Sequence, residues 1–258
     1  MYILELEYPG TWLDYEDQDW AWQVRNLIQQ IESQFTEATL SLGLFDQERS
    51  RPDRIHFREQ WDADAELRRD ITNKFIEENG IGIYYQQHQL FTEYIDVELR
   101  RQKWKNGELP REYQHGFIFI YAKSFLYSID SIGKFLKVLT KTDGVPPEIE
   151  VFSSKFFAQF PTIHHVRNSS QHIEDRSRGL GRNEKPLELK PIQNNSIHSE
   201  GGALVLNSLN GNNFGNTMAD GHYGEVEVSI ESLLFIRDCI QEVINAIKWK
   251  GPKEYYPR

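Results

Sequence analysis

The chain has 258 residues, of which 39% are hydrophobic and 13% aromatic, enough to fill one large domain or two small ones. A formal net charge of −10 excludes a surface built to coat duplex nucleic acid, since phosphate binding runs on clustered Lys and Arg, although it leaves room for a small local basic pocket. The one cysteine, Cys239, excludes an intrachain disulfide and a cysteine-based zinc cluster, and suits a reducing, cytoplasmic setting.

The opening stretch MYILELEYPGTWLDYED has neither a basic segment nor a long apolar run, so no signal peptide is expected. No apolar run approaches the roughly 20 residues of a membrane span, and no membrane partner is expected. A first amphipathic helix is predicted over Trp20–Leu42, with Val24, Leu27, Ile28, Ile31 and Phe35 at steps of three and four and Asp17 or Asp19 as its cap. FDQERSRPDRIHF then reads as a charged break. A second helix follows from Arg58 and is closed by Gly80. A third is expected from Tyr84 to Trp104, and KNGELPRE makes the turn after it. Pro110 opens the longest and most apolar helix, Arg111 to about Leu139, with Phe125, Leu126, Ile129, Ile132, Leu136 and Leu139 as its core stripe. A short helix at 147–160 and a further one from Thr162 to about Arg178 follow.

The character then changes. GLGRNEKPLELKPIQNNSIHSEGG is a loop by composition. Two short strands are expected around a long glycine-rich turn, with Leu204 and Leu206 on one arm and Val226 and Val228 on the other. Ser229 can cap the final helix, whose stripe is Leu233, Ile236, Ile240, Val243, Ile244 and Ile247. Cys239 falls on that same face and reads as core. The expected fold class is mostly α: a helical bundle with a β-hairpin, at about 203–228, inserted before the C-terminal helix. Residues 1–80 are expected as an N-terminal helical region, separate from or continuous with a bundle over 81–258.

The stretch that points to chemistry is RNSSQH, Arg167 to His172. A loose Arg-x4-His pairing arises by chance about 0.5 times in a chain of this composition. It occurs at Arg167/His172 and at Arg51/His56, and the second lies in a proline-containing charged break and reads as coincidence. Requiring Asn, Asp or His after the arginine lowers the expectation to about 0.07. Arg supplies a permanent charge in a fork that fits phosphate, and His can take and return a proton near neutral pH. Together they are a minimal set for cleaving RNA without a metal. On a regular helix five residues rotate by about 140° net, so the two side chains would not stack on one face. They can share a pocket if the helix start is irregular or if the pocket is lined by two facing helices. The structural alternative is a solvated helix face with weak surface ion pairs.

An arginine, then Asn, three residues and a histidine, after a long apolar helix, resembles the HEPN superfamily. The resemblance covers about Tyr84 to Arg182 and the last helix. It implies a bundle of four or five helices, paired as a homodimer in which two motifs meet in one composite site. Many members are metal-independent ribonucleases of toxin–antitoxin, antiviral or RNA-processing systems, while others only bind. By that resemblance Arg167 and His172 are catalytic and Asn168 supports them, RNA is the substrate, an antitoxin is a conceivable protein partner, and no cofactor or metal is involved. Glu174 stands where members silenced by nucleotide transfer carry a tyrosine, which speaks against that control here. The alternative function is a non-catalytic binding or dimerisation module, which the net charge of −10 favours. Geometry discriminates. A cleft, or a partner facing the motif, favours the enzyme; side chains locked in structural salt bridges or pointing separately into solvent favour the module.

Other features are weaker. His164, His165, His172 and Glu174 could suggest a metal, but adjacent histidines diverge on a helix and no His-Glu-x-x-His run exists. GNNFGNTMADGHYG lacks the Gly-Lys-Ser/Thr of a phosphate loop and reads as a hairpin turn. LRRQKWK, Leu99 to Lys105, is the densest basic patch, and WDADAELRRD reads as a solvated face.

Overall fold

The computed structural model describes residues 1–51, 57–82 and 88–258. The chain is mostly helical, with eight α-helices among the described residues and several small antiparallel sheets. Residues 1–49 and 118–258 form one compact unit, and residues 50–117 form a second. The division expected near residue 80 falls elsewhere: the first helix belongs with the C-terminal half, and the second unit is an insertion in the chain between them. His56 of the second Arg-x4-His match and the predicted helix start at Tyr84 lie outside the described residues.

The first unit opens with strands β1 (Leu6–Tyr8) and β2 (Trp12–Leu13), then α1 (Gln18–Arg49). Asp17 caps α1 by accepting from the Trp20 backbone N–H at 2.9 Å. The helix runs seven residues past the predicted Leu42, through the segment FDQER that its charges marked as a break. The reason is Phe45, which is fully buried and extends the apolar stripe of Ile31, Phe35, Ala38 and Leu42 by one more turn. Helix α4 (Arg111–Thr140) carries the predicted stripe, and from Phe125 to Leu139 every member of it is buried.

After α5 (Glu148–Gln159), the predicted single helix over 162–178 is two: α6 (Ile163–Gln171) and α7 (Ile173–Ser177), broken at His172 with φ −102° and ψ 46°. Helix α8 (Ile230–Ala246) closes the core, and the Ser229 hydroxyl accepts from the Ser232 N–H at 3.1 Å as its cap. Cys239 is buried, as its spacing predicts, and burial pushes its thiol up to about 11.

The β region differs from the expected hairpin. The loop first forms a small pair, β3 (Ile192–Gln193) with β4 (His198–Ser199). A three-stranded antiparallel sheet follows: β5 (Ser208–Asn210), β6 (Asn213–Thr217) and β7 (Tyr223–Glu227), with β6 central. Val226 lies on β7 as predicted, but Val228, Leu204 and Leu206 lie outside any strand. The glycine-rich segment read as a turn is itself the central strand. Its register hides it, because Phe214 is its one large apolar residue while Asn216 and Thr217 are fully buried and satisfied by side-chain hydrogen bonds. The sheet packs on α6: a Cβ added at Gly224 would stand 3.0 Å from Val166 Cγ2. The turn between β6 and β7 holds Gly221 at φ +86°, where a Cβ would meet the Glu188 carbonyl oxygen at 1.9 Å. Gly221→Ala is therefore expected to destabilise the unit by about 2–3 kcal/mol, read as a lower urea midpoint. An unchanged midpoint would mean that the 188–190 segment yields without cost.

The ends of the chain close on each other, which periodicity gave no sign of. β1 pairs antiparallel with β9 (Glu254–Tyr256), and β2 with β8 (Trp249–Lys250). Leu6 and Tyr8 are buried in this clasp, and the Arg25 guanidinium lies over the Tyr8 and Trp249 rings at 4.7 and 5.0 Å.

The second unit contains α2 (Phe57–Asn79) and α3 (His88–Lys105). Ile71, Phe91, Ile95 and Leu99 make its own small core, with Leu67 and Phe75 packed against it. The basic patch at the end of α3 is partly neutralised within the unit. Lys103 pairs with Asp64 at 2.8 Å and Glu108 at 3.1 Å, and Arg68 pairs with Asp96. Among the described residues, no helix is long and apolar enough to cross a membrane.

Candidate active site

Helix α6 presents one face to the sheet and the opposite face outward. Val166, Ser169 and Ser170 point inward and are buried. Ser170 accepts from Asn216 Nδ2 at 2.9 Å and donates to Asn207 Oδ1 at 3.3 Å. The buried Arg176 of α7 donates through Nε to Ser169 Oγ at 3.3 Å and through Nη1 to the Leu180 carbonyl at 2.5 Å. The two serines of RNSSQH are thus the fastening of the motif helix, which is why small hydroxyl residues stand there.

Arg167 is also buried, with its side chain 11% exposed. Its Nε donates to Asp130 Oδ2 at 2.6 Å and its Nη1 donates to Gln171 Oε1. Its Nη2 lies 3.3 Å from His164 Nδ1. Asp130, on α4 and only 5% exposed, is the hub of the site. It accepts from Lys134, one turn on, at 2.7 Å, and its Oδ1 faces His164 Nδ1 at 3.4 Å. Burial pushes the Asp130 carboxyl up, but the Lys134 hydrogen bond and the charge of Arg167 outweigh it, and the net shift is below the ordinary carboxylate value. Tyr127, one turn before Asp130, is raised by burial against the lowering pull of Arg167 and a hydrogen bond with Ser170.

The sign of the Asp130 shift sets a pH dependence. A carboxyl depressed in the folded state contributes stability above its unfolded value, about 3.9, and the contribution disappears as pH falls through the folded value. Asp130→Asn is therefore expected to flatten the loss of stability below about pH 4. Urea midpoints at pH 6 and pH 3 measure this, and equal acid sensitivity in the two proteins would remove Asp130 from the account.

The predicted residues are placed unequally. Arg167 sits in the cluster with Asp130. Asn168 is half-buried, and its Nδ2 lies 3.4 Å from His164 Nε2. His172 stands at the break between α6 and α7, with its side chain 57% exposed and its Nδ1 3.5 Å from Glu174 Oε1. The irregularity lies at the end of the motif helix and not at its start, where a shared pocket would have needed it. The Arg167–Asp130 pair is the arrangement that favours the non-catalytic reading. The separate exposure of His172 to solvent favours it as well, whereas Lys134 and His164, exposed beside the Asp130 carboxylate, are groups that chemistry could use.

Asp130 and Lys134 are the residues that sequence reasoning passed over, while His164 was weighed there as a weak metal candidate. The signal for His164 was present: Arg167, Asn168 and Gln171 follow it at three, four and seven residues, one face of a helix. Asp130 and Lys134 are likewise four apart, on a helix read only for its apolar stripe. Among the described residues, His172, Glu174 and Asp175 place one potential metal-ligand atom each within 4.8 Å of the others. His172 and Glu174 are exposed, and the half-buried Asp175 is already paired with Arg178 at 2.6 Å, which leaves a weak ligand set.

Comparison with family models, with curated proteins and with solved structures finds no match for the chain.

Proposed function

We propose that the chain is a metal-independent endoribonuclease of the HEPN type, cytoplasmic and acting as a homodimer, in a toxin–antitoxin or antiviral setting. One observation carries the reading: two cations, Arg167 and Lys134, gather on a single carboxylate beside the half-exposed His164, a local excess of positive charge on an acidic chain. That supplies the local compensation RNA binding requires. Asp130 and Gln171 take two of the five guanidinium N–H groups, so donors remain for a phosphate oxygen. In this reading Arg167 steadies the crowded phosphate, His172 moves a proton, and Asn168 orients its neighbour. The 2′-hydroxyl attacks the phosphorus, the bond to the 5′-oxygen breaks, and a 2′,3′-cyclic phosphate and a 5′-hydroxyl are left. A second copy of the motif across a two-fold axis would complete the site.

The second reading is a non-catalytic helical binding or dimerisation module. It draws on the commitment of the Arg167 guanidinium to groups of its own chain. Cleavage of an oligoribonucleotide in EDTA, wild type against His172→Ala and Arg167→Ala, separates the two. The enzyme reading expects cleavage by the wild type and loss in both variants, while equal rates in all three would remove it.

A further inference from the structure

Resting on the ribonuclease reading, we infer that His164 is the general base of the reaction, held by Asp130, and that His172 is the general acid. Cleaving RNA without a metal needs two proton movements at once: one off the 2′-hydroxyl and one onto the 5′-oxygen as it leaves. A single histidine performs only one of them in a given step. The motif supplies His172, and the helix sets a second imidazole, His164, against the Arg167 guanidinium at 3.3 Å.

His164 Nδ1 faces an acceptor, Asp130 Oδ1, at 3.4 Å and a donor, Arg167 Nη2, at 3.3 Å. With the guanidinium turned to a phosphate, the carboxylate holds the proton on Nδ1. The Asn168 amide nitrogen only donates, so Nε2, at 3.4 Å from it, carries the lone pair. The carboxylate–imidazole arrangement leaves a basic nitrogen on the outer face of α6. The His164 side chain is 50% exposed, so substrate can reach it. Both contacts are long for hydrogen bonds and are of the kind that tighten when substrate is bound. Among the described residues, the charged groups beside the ring are those of Asp130, its partner Lys134, and Arg167, and the His165 ring takes no part in the step. Asp130 and Lys134 come from α4, Arg167 from α6, and the His165 ring lies edge-on at 5.8 Å. Glu174 and Asp175 of α7 flank His172 instead.

The step balances. His164 Nε2 takes the 2′-hydroxyl proton as the 2′-oxygen forms its bond to phosphorus. Arg167 and Lys134 hold the non-bridging oxygens. The bond from phosphorus to the 5′-oxygen breaks, and protonated His172 gives its proton to that oxygen. The enzyme is left with His164 protonated and His172 neutral, and solvent resets both. Asp130 is a positioning residue, because it acts through His164 and Arg167 and does not touch the substrate.

The test compares two RNA substrates in EDTA: an ordinary oligoribonucleotide, and one whose scissile 5′-oxygen is replaced by sulfur. A thiolate leaves without being protonated, so the sulfur substrate bypasses the general acid and still needs the base. His164→Ala is expected to lower the rate about 100-fold or more on both substrates and to abolish the rise in rate on the acid side of the pH profile. His172→Ala is expected to be slow on the oxygen substrate and restored on the sulfur one. Asp130→Asn should shift the acid limb, which a merely structural role would not do. His165→Ala is the neighbouring control and should keep the wild-type rate. His164 is half-exposed, so its truncation leaves the unfolding midpoint near that of the wild type, and that midpoint is measured alongside. Full activity of His164→Ala, or its rescue by sulfur, overturns the assignment while leaving the ribonuclease reading intact. A wild type that cleaves neither substrate overturns the ribonuclease reading itself, and this inference with it.

Discussion

Arg167→Ala is expected to lower the free energy of unfolding by about 3 kcal/mol, the lower end of what breaking one side of a buried ion pair costs. The variant strands Asp130, which is 5% exposed and loses its 2.6 Å partner. Lys134 remains on the same carboxylate at 2.7 Å, half in solvent, and keeps the loss from the upper end of the range. The urea midpoint of the variant reads the effect. Replacing both partners at once, with Asp130→Asn and Arg167→Met, should recover part of the loss, since no unpaired charge is then left inside. An Arg167→Ala protein as stable as the wild type would mean that Asp130 is paired well enough by Lys134 alone.

His172→Ala is expected to behave in the opposite way. Its side chain is 57% exposed at a helix break, so the unfolding midpoint should not move. Under the proposed function the cleavage rate should fall by about 100- to 10,000-fold, the usual worth of a positioned acid or base. The contrast decides how each variant may be read. A dead Arg167→Ala protein reports stability and chemistry together, whereas a dead and fully folded His172→Ala protein reports chemistry alone. Unimpaired cleavage by folded His172→Ala would exclude the motif as the site.

The legibility of the chain follows the physics of each segment. The helices of the first unit could be read because they bury apolar side chains at steps of three and four, as in the Phe125-to-Leu139 stripe and the Leu233-to-Ile244 stripe. Capping by Asp17 and Ser229 could be read for the same local reason. Strand β6 could not, because what it buries is polar. Asn216 and Thr217 are satisfied by groups on Ser170 and the 203–205 segment, far along the chain, and no window centred on them carries a period. The clasp escaped for a similar reason, since two- and three-residue strands give no alternation to count. At the site, Arg167, Asn168 and His172 announced themselves by spacing, but Asp130 did not. A lone carboxylate on an apolar helix is informative only once the guanidinium it meets is known. The break at His172 was equally hidden, as nothing in RNSSQHIEDR is a helix breaker.

The clasp between the two ends of the chain has a consequence for how the protein comes into being on the ribosome. Residues 6–13 emerge well before the strands that pair with them, at 249–250 and 254–256. Leu6 and Tyr8 must therefore wait, with apolar surface uncovered, until all the chain between the paired strands has been made. The unit at 50–117 has no such wait, because Ile71 meets Phe91, Ile95 and Leu99 within about thirty residues of chain. The order of assembly during synthesis is thus the inserted unit first and the enclosing one last. The nascent chain is most exposed to wrong partners while its opening strands remain unanswered.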